Sequence, residues 1–270
     1  MSTLKNKTLL ITGGASGIGK LMGKLAIEKG IRTLIIWDVN SSLLEETGRE
    51  LQSPSCSVRG YVVDVSKTEQ IISTANQVRK EVGNIDILIN NAGIVVGKYF
   101  HEHTHNDIDR SIAINSLALM HIALDFLPGM IERNSGHIVT ISSAAGMVGN
   151  PKMSVYAASK WAALGWSDSL RIEMEKIGKD IHVTAVTPYY ISTGMFAGVK
   201  SSIFIPITKP ETAARKIIRG IERNALYVRM PLLVYTLQLV KGILPTRLFD
   251  FFVGKLLGVY STMDEFTGRK

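Results

Sequence analysis

The first 190 residues of the chain alternate short runs of β-branched or aliphatic residues with longer amphipathic stretches. Six apolar runs have the length of buried parallel strands: Thr8–Thr12, Thr33–Trp37, Val58–Val63, Ile85–Asn90, His137–Ile141 and Ile181–Thr187. Helix-length stretches lie between them, near residues 17–30, 41–52, 67–82, 107–133 and 153–178. Repeated strand–helix–strand units predict an α/β fold with a doubly wound parallel sheet and helices on both faces.

The pattern changes after Thr193. A helix is predicted over Pro210–Arg223, because proline suits a first helical turn, and a seventh strand over Leu226–Arg229. The tail, Pro231–Val259, is rich in Leu, Val and Phe, but charged residues interrupt it and it offers no uncharged apolar stretch of transmembrane length. We therefore expect two amphipathic helices, separated near Pro245, as a helical C-terminal extension.

The composition restricts the compartment and the partners. A single cysteine, Cys56, cannot form an intramolecular disulfide, which favours a reducing interior. The N-terminus shows no secretory signal pattern before Leu9, so a cytoplasmic location is expected. Of the formal charge of +8, residues 201–270 carry +6, from eleven Lys or Arg and five Asp or Glu. These cations are scattered among leucines without a nucleic-acid motif, so no nucleic-acid partner is predicted and an anionic membrane or acidic ligand is favoured.

A glycine-rich turn, residues 12–19 (TGGASGIG), follows the first strand and opens the next helix. Glycines let the backbone approach a diphosphate, and a helix N-terminus supplies N–H groups and a positive dipole. The spacing differs from G-x-G-x-x-G, but the position between strand and helix is that of a dinucleotide site. Asp38, which ends the second strand, would bind ribose hydroxyls and repel a 2′-phosphate, so NAD is favoured over NADP.

Tyr156 and Lys160 are four residues apart in a predicted helix and so share one helical face. A free phenol has a pKa of about 10. A neighbouring ammonium is expected to lower that pKa towards neutrality, which suits proton transfer. Ser142 and Ser143 precede this pair by one loop.

These motifs together resemble the short-chain dehydrogenase/reductase family over about residues 7–195. The matching features are TGGASGIG at 12–19, Asp64-Val65, Asn90-Asn91-Ala92-Gly93, Asn115, Ser143, Tyr156, Lys160, Pro188 and Thr193. One departure is Tyr189, which stands where the family usually has glycine and is expected to stiffen the turn and narrow the pocket. The resemblance implies a single Rossmann domain with an NAD-binding and catalytic part, residues 1–195, and a substrate-binding C-terminal extension, residues 196–270.

The resemblance also implies the roles of the site residues. Tyr156 would exchange a proton with the substrate oxygen, Lys160 would lower its pKa and bind the nicotinamide ribose, Ser143 would polarise the carbonyl, and Asn115 would hold a water. No metal is expected, although His101, His103 and His105 alternate near two carboxylates. The residues expected to bind the cofactor are Gly13, Ser16, Gly17, Ile18, Gly19, Asp38, Asp64, Val65, Asn91, Ala92, Gly93, Tyr156, Lys160, Pro188, Ile191 and Thr193.

Within the family, two features resemble the hydroxysteroid, retinol and long-chain alcohol dehydrogenase branch: Trp37 before Asp38, and a Leu- and Phe-rich tail that ends in Met263-Asp264-Glu265-Phe266. The chain is therefore expected to interconvert a lipophilic alcohol and its carbonyl form. The alternatives are a reductase of a small or different ketone and a non-catalytic NAD sensor. Two readings of the tail stay open: peripheral contact with a membrane or lipid droplet, or a lid or subunit interface. In this family the helix bearing Tyr156, Trp161 and Trp166 commonly packs against a second subunit, so a homodimer or homotetramer is expected.

Overall fold

The sheet has seven parallel strands in the order β3-β2-β1-β4-β5-β6-β7. A computed structural model of the protein describes residues 3–201 and 205–268. The strands are β1 Thr8–Thr12, β2 Thr33–Asp38, β3 Ser57–Val62, β4 Ile87–Asn90, β5 Gly136–Ile141, β6 Ile181–Pro188 and β7 Tyr227–Met230. The predicted doubly wound parallel sheet is confirmed, and each predicted strand boundary lies within two residues of the observed one.

Helices cover both faces of the sheet. They are α1 Gly17–Glu28, α2 Ser41–Glu50, α3 Thr68–Glu81, α4 His105–Ile112, α5 Ala118–Glu132, α6 Ser154–Lys176, α7 Pro210–Glu222, α8 Leu237–Ile243 and α9 Thr246–Phe249. On β1, Leu9 and Ile11 face the layer of α1, α2 and α7, while Leu10 faces that of α3, α5 and α6. This alternation follows from the two-residue period of a strand.

The edge strand β3 differs from expectation. We predicted it to be buried, but most of its residues are partly or fully exposed, and Tyr61 is the buried one. The reason is its position, because β3 pairs with β2 alone and helix α2 covers only part of it. Within the described residues, β3 and β7 form the two edges of the sheet.

One helical stretch in the described part of the chain, His105–Glu132, is long and apolar enough by length and composition to cross a membrane. Half of its most apolar window is buried inside the protein. Ile122, Phe126 and Met130 belong to the core between the sheet and the outer helices. Packing in this core accounts for the apolar composition of the helix.

The C-terminal residues complete the domain rather than standing apart from it. Helix α7 packs against the α1 layer, and β7 pairs with β6, so residues beyond 195 contribute to the sheet itself. After β7, a 3₁₀ turn at Leu232–Tyr235 leads into α8 and α9, which are separated at Leu244 and Pro245. A π-helical turn, Asp250–Leu256, extends α9. The predicted pair of tail helices separated near Pro245 is confirmed.

Candidate active site

A cleft lies at the carboxyl ends of the strands, where β1 is flanked by β2 on one side and β4 on the other. This is the switch point at which doubly wound folds bind their ligands. The cleft encloses about 280 Å³. Fourteen of the residues predicted to bind a cofactor line it: Gly13, Ser16, Gly17, Ile18, Asp38, Val65, Asn91, Ala92, Gly93, Tyr156, Lys160, Pro188, Ile191 and Thr193.

The remaining two predicted residues, Gly19 and Asp64, lie outside the lining. Gly19 is buried behind the turn, where a Cβ atom would stand 2.3 Å from the carbonyl oxygen of Gly13, so this glycine allows the helix to pack against the turn. Asp64 accepts hydrogen bonds from the backbone N–H and the hydroxyl of Ser66, which shapes the loop after β3. Gly19 and Asp64 therefore shape the turn and the loop that border the cleft, although neither lines it.

The glycine-rich turn is held to the segment after β4. Gly13 and Gly17 have φ of 62° and 55°, a left-handed conformation that favours glycine. The Asn91 side-chain amide donates to the carbonyls of Thr12 and Gly13, at 2.9 and 3.0 Å. The Thr12 hydroxyl accepts from the backbone N–H groups of Asn91 and Ala92. A Cβ on Gly13 would meet the Ala92 backbone at 3.0 Å, so the two segments approach closely only because this residue is glycine.

Asp38 ends β2 at the rim of the cleft. Its carboxylate accepts from the backbone N–H of Ala15 at 3.1 Å and from that of Asn40, also at 3.1 Å. These two bonds fix the carboxylate beside the glycine-rich turn. Lys160, which lies on α6, is the one Lys or Arg among the lining residues.

Tyr156 and Lys160 are both buried on α6, and the lysine Nζ lies 5.8 Å from the centre of the tyrosine ring. Burial raises the pKa of the Tyr156 phenol above its usual value, with a further rise from Tyr190, while a hydrogen bond with Ser143 opposes the shift. Burial lowers the pKa of Lys160 to about 8. The expected lowering of the phenol pKa by lysine is therefore not found in this structure, because desolvation of the phenolate outweighs the distant ammonium.

The Lys160 ammonium uses one of its three hydrogen-bond donors within the protein. It donates to the carbonyl oxygen of Ile141 at 2.8 Å. No carboxylate among the described residues pairs with it, although it is fully enclosed. A buried cation is costly unless its remaining donors find acceptors. The two free donors fit the hydroxyls of a nicotinamide ribose, so the residues present suit a dinucleotide cofactor.

Ser143 lies beside Tyr156 at the end of β5. Its hydroxyl donates to the carbonyl of Pro188 at 3.4 Å, a long bond, and accepts from the backbone N–H of Ala145 at 3.1 Å. It also interacts with the Tyr156 phenol. The neighbouring Ser142 faces the other way and donates to the Lys160 backbone carbonyl at 2.8 Å, which ties β5 to α6.

Asn115 lies in a π-helical turn, Ala113–Leu117, between α4 and α5. Its amide donates to the Ile94 carbonyl and the Ser159 hydroxyl, and its oxygen accepts from the Ile94 N–H. Ser159 in turn donates to the Tyr156 carbonyl. Asn115 thus connects the segment after β4 to the catalytic helix and stays outside the cleft lining. Its predicted role of holding a water stays a prediction.

A second, apolar pocket opens next to Ser143. It encloses about 30 Å³, and three of its residues, Ser143, Tyr189 and Phe196, also line the cofactor cleft. The C-terminal extension closes its far side through Val234, Leu237, Val253 and Val259, among others. This part of the tail therefore forms a lid over the pocket, which was one of the two readings left open.

Several lining residues were not anticipated from the sequence. In the cleft they are Trp37, Val39, Val63, Ile94, Ile114, Ile141, Ser142, Met195 and Phe196, whereas Tyr189, which we expected to narrow the pocket, lines it. Most are apolar residues next to a motif residue in the sequence, and this adjacency could have been used to predict them. Asn150 and the tail residues of the apolar pocket carried no local signal.

The alternating histidines lie on the surface, away from this site. His101 and His105 are exposed, and the Nδ1 atom of His103 hydrogen-bonds the Tyr99 carbonyl. Asp107 instead pairs with Lys98 at 2.7 Å. No group of three or more His, Cys, Asp or Glu residues in the described chain is arranged to hold a metal ion.

A seven-stranded doubly wound sheet with a glycine-lined cleft at its switch point defines a Rossmann-type α/β protein. Residues 7–203 match the family described as short chain dehydrogenase. The chain belongs to this family and is an NAD(P)-dependent oxidoreductase that acts on alcohols.

Curated relatives extend the similarity beyond the family core. Epidermal retinol dehydrogenase 2 of Mus musculus is 40% identical over 266 residues, covering 97% of this chain and 85% of that protein. Short-chain dehydrogenase/reductase 3 of Homo sapiens is 32% identical over 269 residues, covering 98% and 88%. The chain therefore resembles the retinol dehydrogenase branch.

Solved structures share the fold. A short-chain dehydrogenase/reductase of Burkholderia phymatum in complex with NAD superposes with a TM-score of 0.81 at 23% identity, covering 94% of this chain and 97% of that one. A short-chain dehydrogenase of Sphingobium yanoikuyae in complex with NADPH gives 0.76 at 27% identity, covering 94% and 95%. Both nucleotides thus occur among similar structures.

Proposed function

We propose that the protein interconverts a lipophilic alcohol and its carbonyl form, of the steroid, retinoid or long-chain alcohol type, with NAD as the preferred cofactor. The observation that carries this proposal is the junction at Ser143, which lines both the cofactor cleft and the apolar pocket. A substrate seated in the pocket would present its oxygen to Ser143 and Tyr156. The retinol dehydrogenase relatives point to the same substrate class.

The chemistry is divided among three side chains. The hydride chemistry at the substrate carbon would come from NAD bound in the cleft. Tyr156 takes the alcohol proton in oxidation and returns it in reduction, as a general base and acid. Ser143 donates a hydrogen bond to the substrate oxygen and stabilises charge that develops there. Lys160 binds the ribose hydroxyls through its free donors, and its positive charge favours the phenolate once the site is complete.

The preference for NAD rests on Asp38. Its fixed carboxylate can accept hydrogen bonds from adenine-ribose hydroxyls, whereas a 2′-phosphate would meet a like charge. Among the lining residues no arginine stands near Asp38 to bind such a phosphate, and Val39 occupies the next position. Val63 and Val65 offer apolar contact for an adenine ring at the same end of the cleft.

The apolar pocket must widen to accept such a substrate. Its 30 Å³ is on the scale of a single water molecule, whereas ligand pockets usually enclose several hundred Å³. The segments that close it are the tail helices and Phe196. Movement of the tail is therefore part of the proposal, with substrate entering between the tail and the loop after β6.

The outer side of the tail favours contact with a membrane. Several large apolar side chains there are exposed: Leu232, Leu239, Ile243, Leu248, Phe251, Phe252 and Leu256. Arg247 and Lys255 are exposed among them and, within the described residues, form no ion pair with a carboxylate. Lys241 in the same segment is less available, since its Nζ donates to the Met147 carbonyl and lies 4.3 Å from the centre of the Trp161 ring. A peripheral protein on an anionic membrane would take up lipophilic substrate through this segment.

Self-association through α5 and α6 completes the proposal. Leu117 and Leu124 near or on α5, and Trp161 and Ile172 on α6, are large apolar residues that stand exposed. Burial of these side chains against a second copy of the chain would remove apolar area from water. Size-exclusion chromatography with light scattering distinguishes a homodimer or homotetramer from a monomer.

The alternatives predict different substrates. A reductase of a small ketone would prefer short carbonyl compounds, and an NAD sensor would bind the cofactor without turnover. Retention of Ser143, Tyr156 and Lys160 in one enclosed site argues against the sensor. A fluorescence screen of NAD reduction over steroids, retinoids and fatty alcohols of graded length, with short alcohols included, tests the proposal. Turnover confined to short substrates, or to none, would contradict it.

A further inference from the structure

Two residues that line the apolar pocket each carry a polar atom without a hydrogen-bond partner. These atoms are the side-chain oxygen of Asn150 and the hydroxyl of Tyr189, both enclosed by the protein. A polar atom buried without a partner costs about 1–3 kcal/mol, so native structures rarely keep one without a reason. The rest of this lining is apolar apart from Ser143 and the Tyr190 ring, whose hydroxyl is already bonded.

The orientation of the Asn150 amide follows from its neighbours. Thr262 donates its hydroxyl to the Val259 carbonyl at 2.8 Å, so Tyr190 must be the donor in its 2.9 Å bond to Thr262. The Asn150 amide nitrogen then donates to the oxygens of Tyr190 and Thr262, at 3.1 and 3.0 Å. Reversing the amide would break this set of bonds. The Asn150 oxygen is therefore an acceptor that the protein leaves open.

The Tyr189 hydroxyl stands near the Thr262 hydroxyl, which opposes part of the rise of the Tyr189 pKa, but the two form no hydrogen bond of good geometry. The Thr262 oxygen already accepts from Tyr190 and from Asn150. Burial raises the pKa of the Tyr189 phenol, so it is a neutral donor and acceptor. The hydroxyl is thus available to a ligand in the pocket.

We infer that the pocket recognises a second hydroxyl group on the substrate, remote from the reacting carbon, through Asn150 and Tyr189. A hydroxyl can donate to the Asn150 oxygen and accept from the Tyr189 phenol, whereas a carbonyl could only accept. The apolar lining between these atoms and Ser143 suits a hydrocarbon body. The inference rests on the proposed function, and it narrows the substrate from any lipophilic alcohol to one with two oxygens.

The same arrangement predicts discrimination against substrates with one oxygen. A site built to bond a substrate hydroxyl rejects an analogue without it, because its own polar atoms then stay buried and unpaired. Here two residues of one pocket carry such atoms. We expect the second hydroxyl to strengthen binding by about tenfold or more, the usual scale for one or two good hydrogen bonds.

The test is a binding measurement that does not depend on turnover. Wild-type protein saturated with NADH cannot oxidise an alcohol, so calorimetry gives dissociation constants for dead-end complexes. The probes are straight-chain alcohols and the matching α,ω-diols and ω-methoxy alcohols, none of which NADH can reduce, over a graded series of chain lengths. At the optimal length the diol should bind about tenfold tighter than the alcohol, with the methoxy alcohol, whose ether oxygen can only accept, closer to the alcohol.

Tyr189→Phe removes only the unpaired hydroxyl, and it should cut the advantage of the diol to within about threefold. Since that hydroxyl has no partner in the protein, the variant should melt at or above the wild-type temperature. Asn150→Leu should also remove the tighter binding of the diol. If Asn150→Leu does not fold, Tyr189→Phe by itself decides the test. Tyr99→Phe, at an exposed tyrosine outside both pockets, is the matched control and should keep the tighter binding of the diol.

The outcomes separate this inference from the proposed function. Equal binding of diol and alcohol at every length, no binding of either probe, or an unchanged diol advantage in Tyr189→Phe overturns the inference. NAD-dependent turnover of single-hydroxyl alcohols together with equal binding would leave the proposed function standing. Tight diol binding without any turnover would support the recognition pair and contradict the proposed function.

Discussion

The Lys160 Nζ lies 5.8 Å from the centre of the Tyr156 ring, with both side chains buried on the same face of α6. The ammonium is directed to the Ile141 carbonyl and keeps two donors for a ligand. The phenol, whose pKa burial raises, interacts with Ser143. The site therefore holds a neutral phenol and a cation with open donors, and under the proposed function it would transfer a proton once a cofactor is bound.

Replacing Tyr156 with Phe should abolish turnover and leave cofactor binding nearly unchanged. Only the proton-transferring oxygen is lost, and loss of a general acid/base costs about 10²-fold or more in kcat. Steady-state kinetics and a titration of NADH fluorescence measure the two effects, with Tyr99→Phe as a control for the substitution. A variant that keeps more than about a tenth of wild-type kcat would contradict the role of Tyr156.

Cofactor affinity should fall as the pH rises through about 8. The pKa of Lys160 in the folded protein is about 8, below its ordinary value, so the ammonium is present below that pH and lost above it. If the ammonium binds the ribose, NADH fluorescence titrations on both sides of that pH will show the decline. Lys160→Met should bind NADH weakly at every pH and lose the dependence. An equal decline in wild type and variant would assign it to another group.

Removing the Asp38 carboxylate should shift the preference from NAD towards NADP. The double change Asp38→Ser and Val39→Arg removes a repulsion and adds a bidentate phosphate partner. We expect the ratio of kcat/KM for NADP to that for NAD to rise by at least about tenfold, the worth of one charge-assisted hydrogen bond. The single change Asp38→Ser shows how much of the shift in preference comes from removing the repulsion. A wild-type protein that already prefers NADP would contradict the assignment.

Acid should destabilise the protein through His137. Burial lowers the pKa of His137 to about 3, from 6.5, so between these values the unfolded chain binds more protons than the folded one. Stability is therefore lost as the pH falls below about 6.5, by on the order of 2 kcal/mol between pH 7 and pH 5. Urea unfolding at both pH values measures this loss.

His137→Gln should reduce that acid loss, because glutamine does not titrate. The Thr184 hydroxyl donates to the Ala225 carbonyl, so the histidine Nε2 donates to it at 2.7 Å, and a glutamine amide can do the same. His105→Gln, at an exposed position, is the matched control and should leave the loss unchanged. If His137→Gln loses as much stability on acidification as wild type, another group carries the effect.

The tail should bind anionic vesicles through its exposed apolar side. Each exposed cation near the surface adds about 1 kcal/mol, so Arg247 and Lys255 alone give weak binding and the apolar face must add the rest. Liposome flotation with and without anionic lipid measures it, comparing wild type with Ile243→Ser and Phe251→Ser. Truncation after Met230 is a poor test, because it removes the buried Val234 and Phe249.

Two substitutions on a distant exposed surface, Ile72→Ser and Val62→Ser, serve as controls and should float like wild type. If wild-type protein stays at the bottom of the gradient with both lipid compositions, the tail does not bind membranes and acts as a lid alone.

Much of the fold could be predicted from the sequence because its signals are local. Strand and helix periods lie within a few residues, and so does the four-residue spacing that places Tyr156 and Lys160 on one face. The glycine-rich turn could be located by its position between a strand and a helix. The exposure of β3 could not be predicted in this way. It depends on the order of the strands, and β3 lies at the edge of the sheet.

The sequence by itself determined the sheet, the cofactor turn and the identity of the Ser-Tyr-Lys group. Only the tertiary structure decided their environment: the raised pKa of Tyr156, the inward turn of Lys241, and the pocket that joins Ser143 to Val259 and leaves Asn150 and Tyr189 with open polar atoms. These properties arise from burial and from contacts between residues far apart in the chain. No local sequence pattern predicts them, because the desolvation of a side chain depends on all the residues that pack around it.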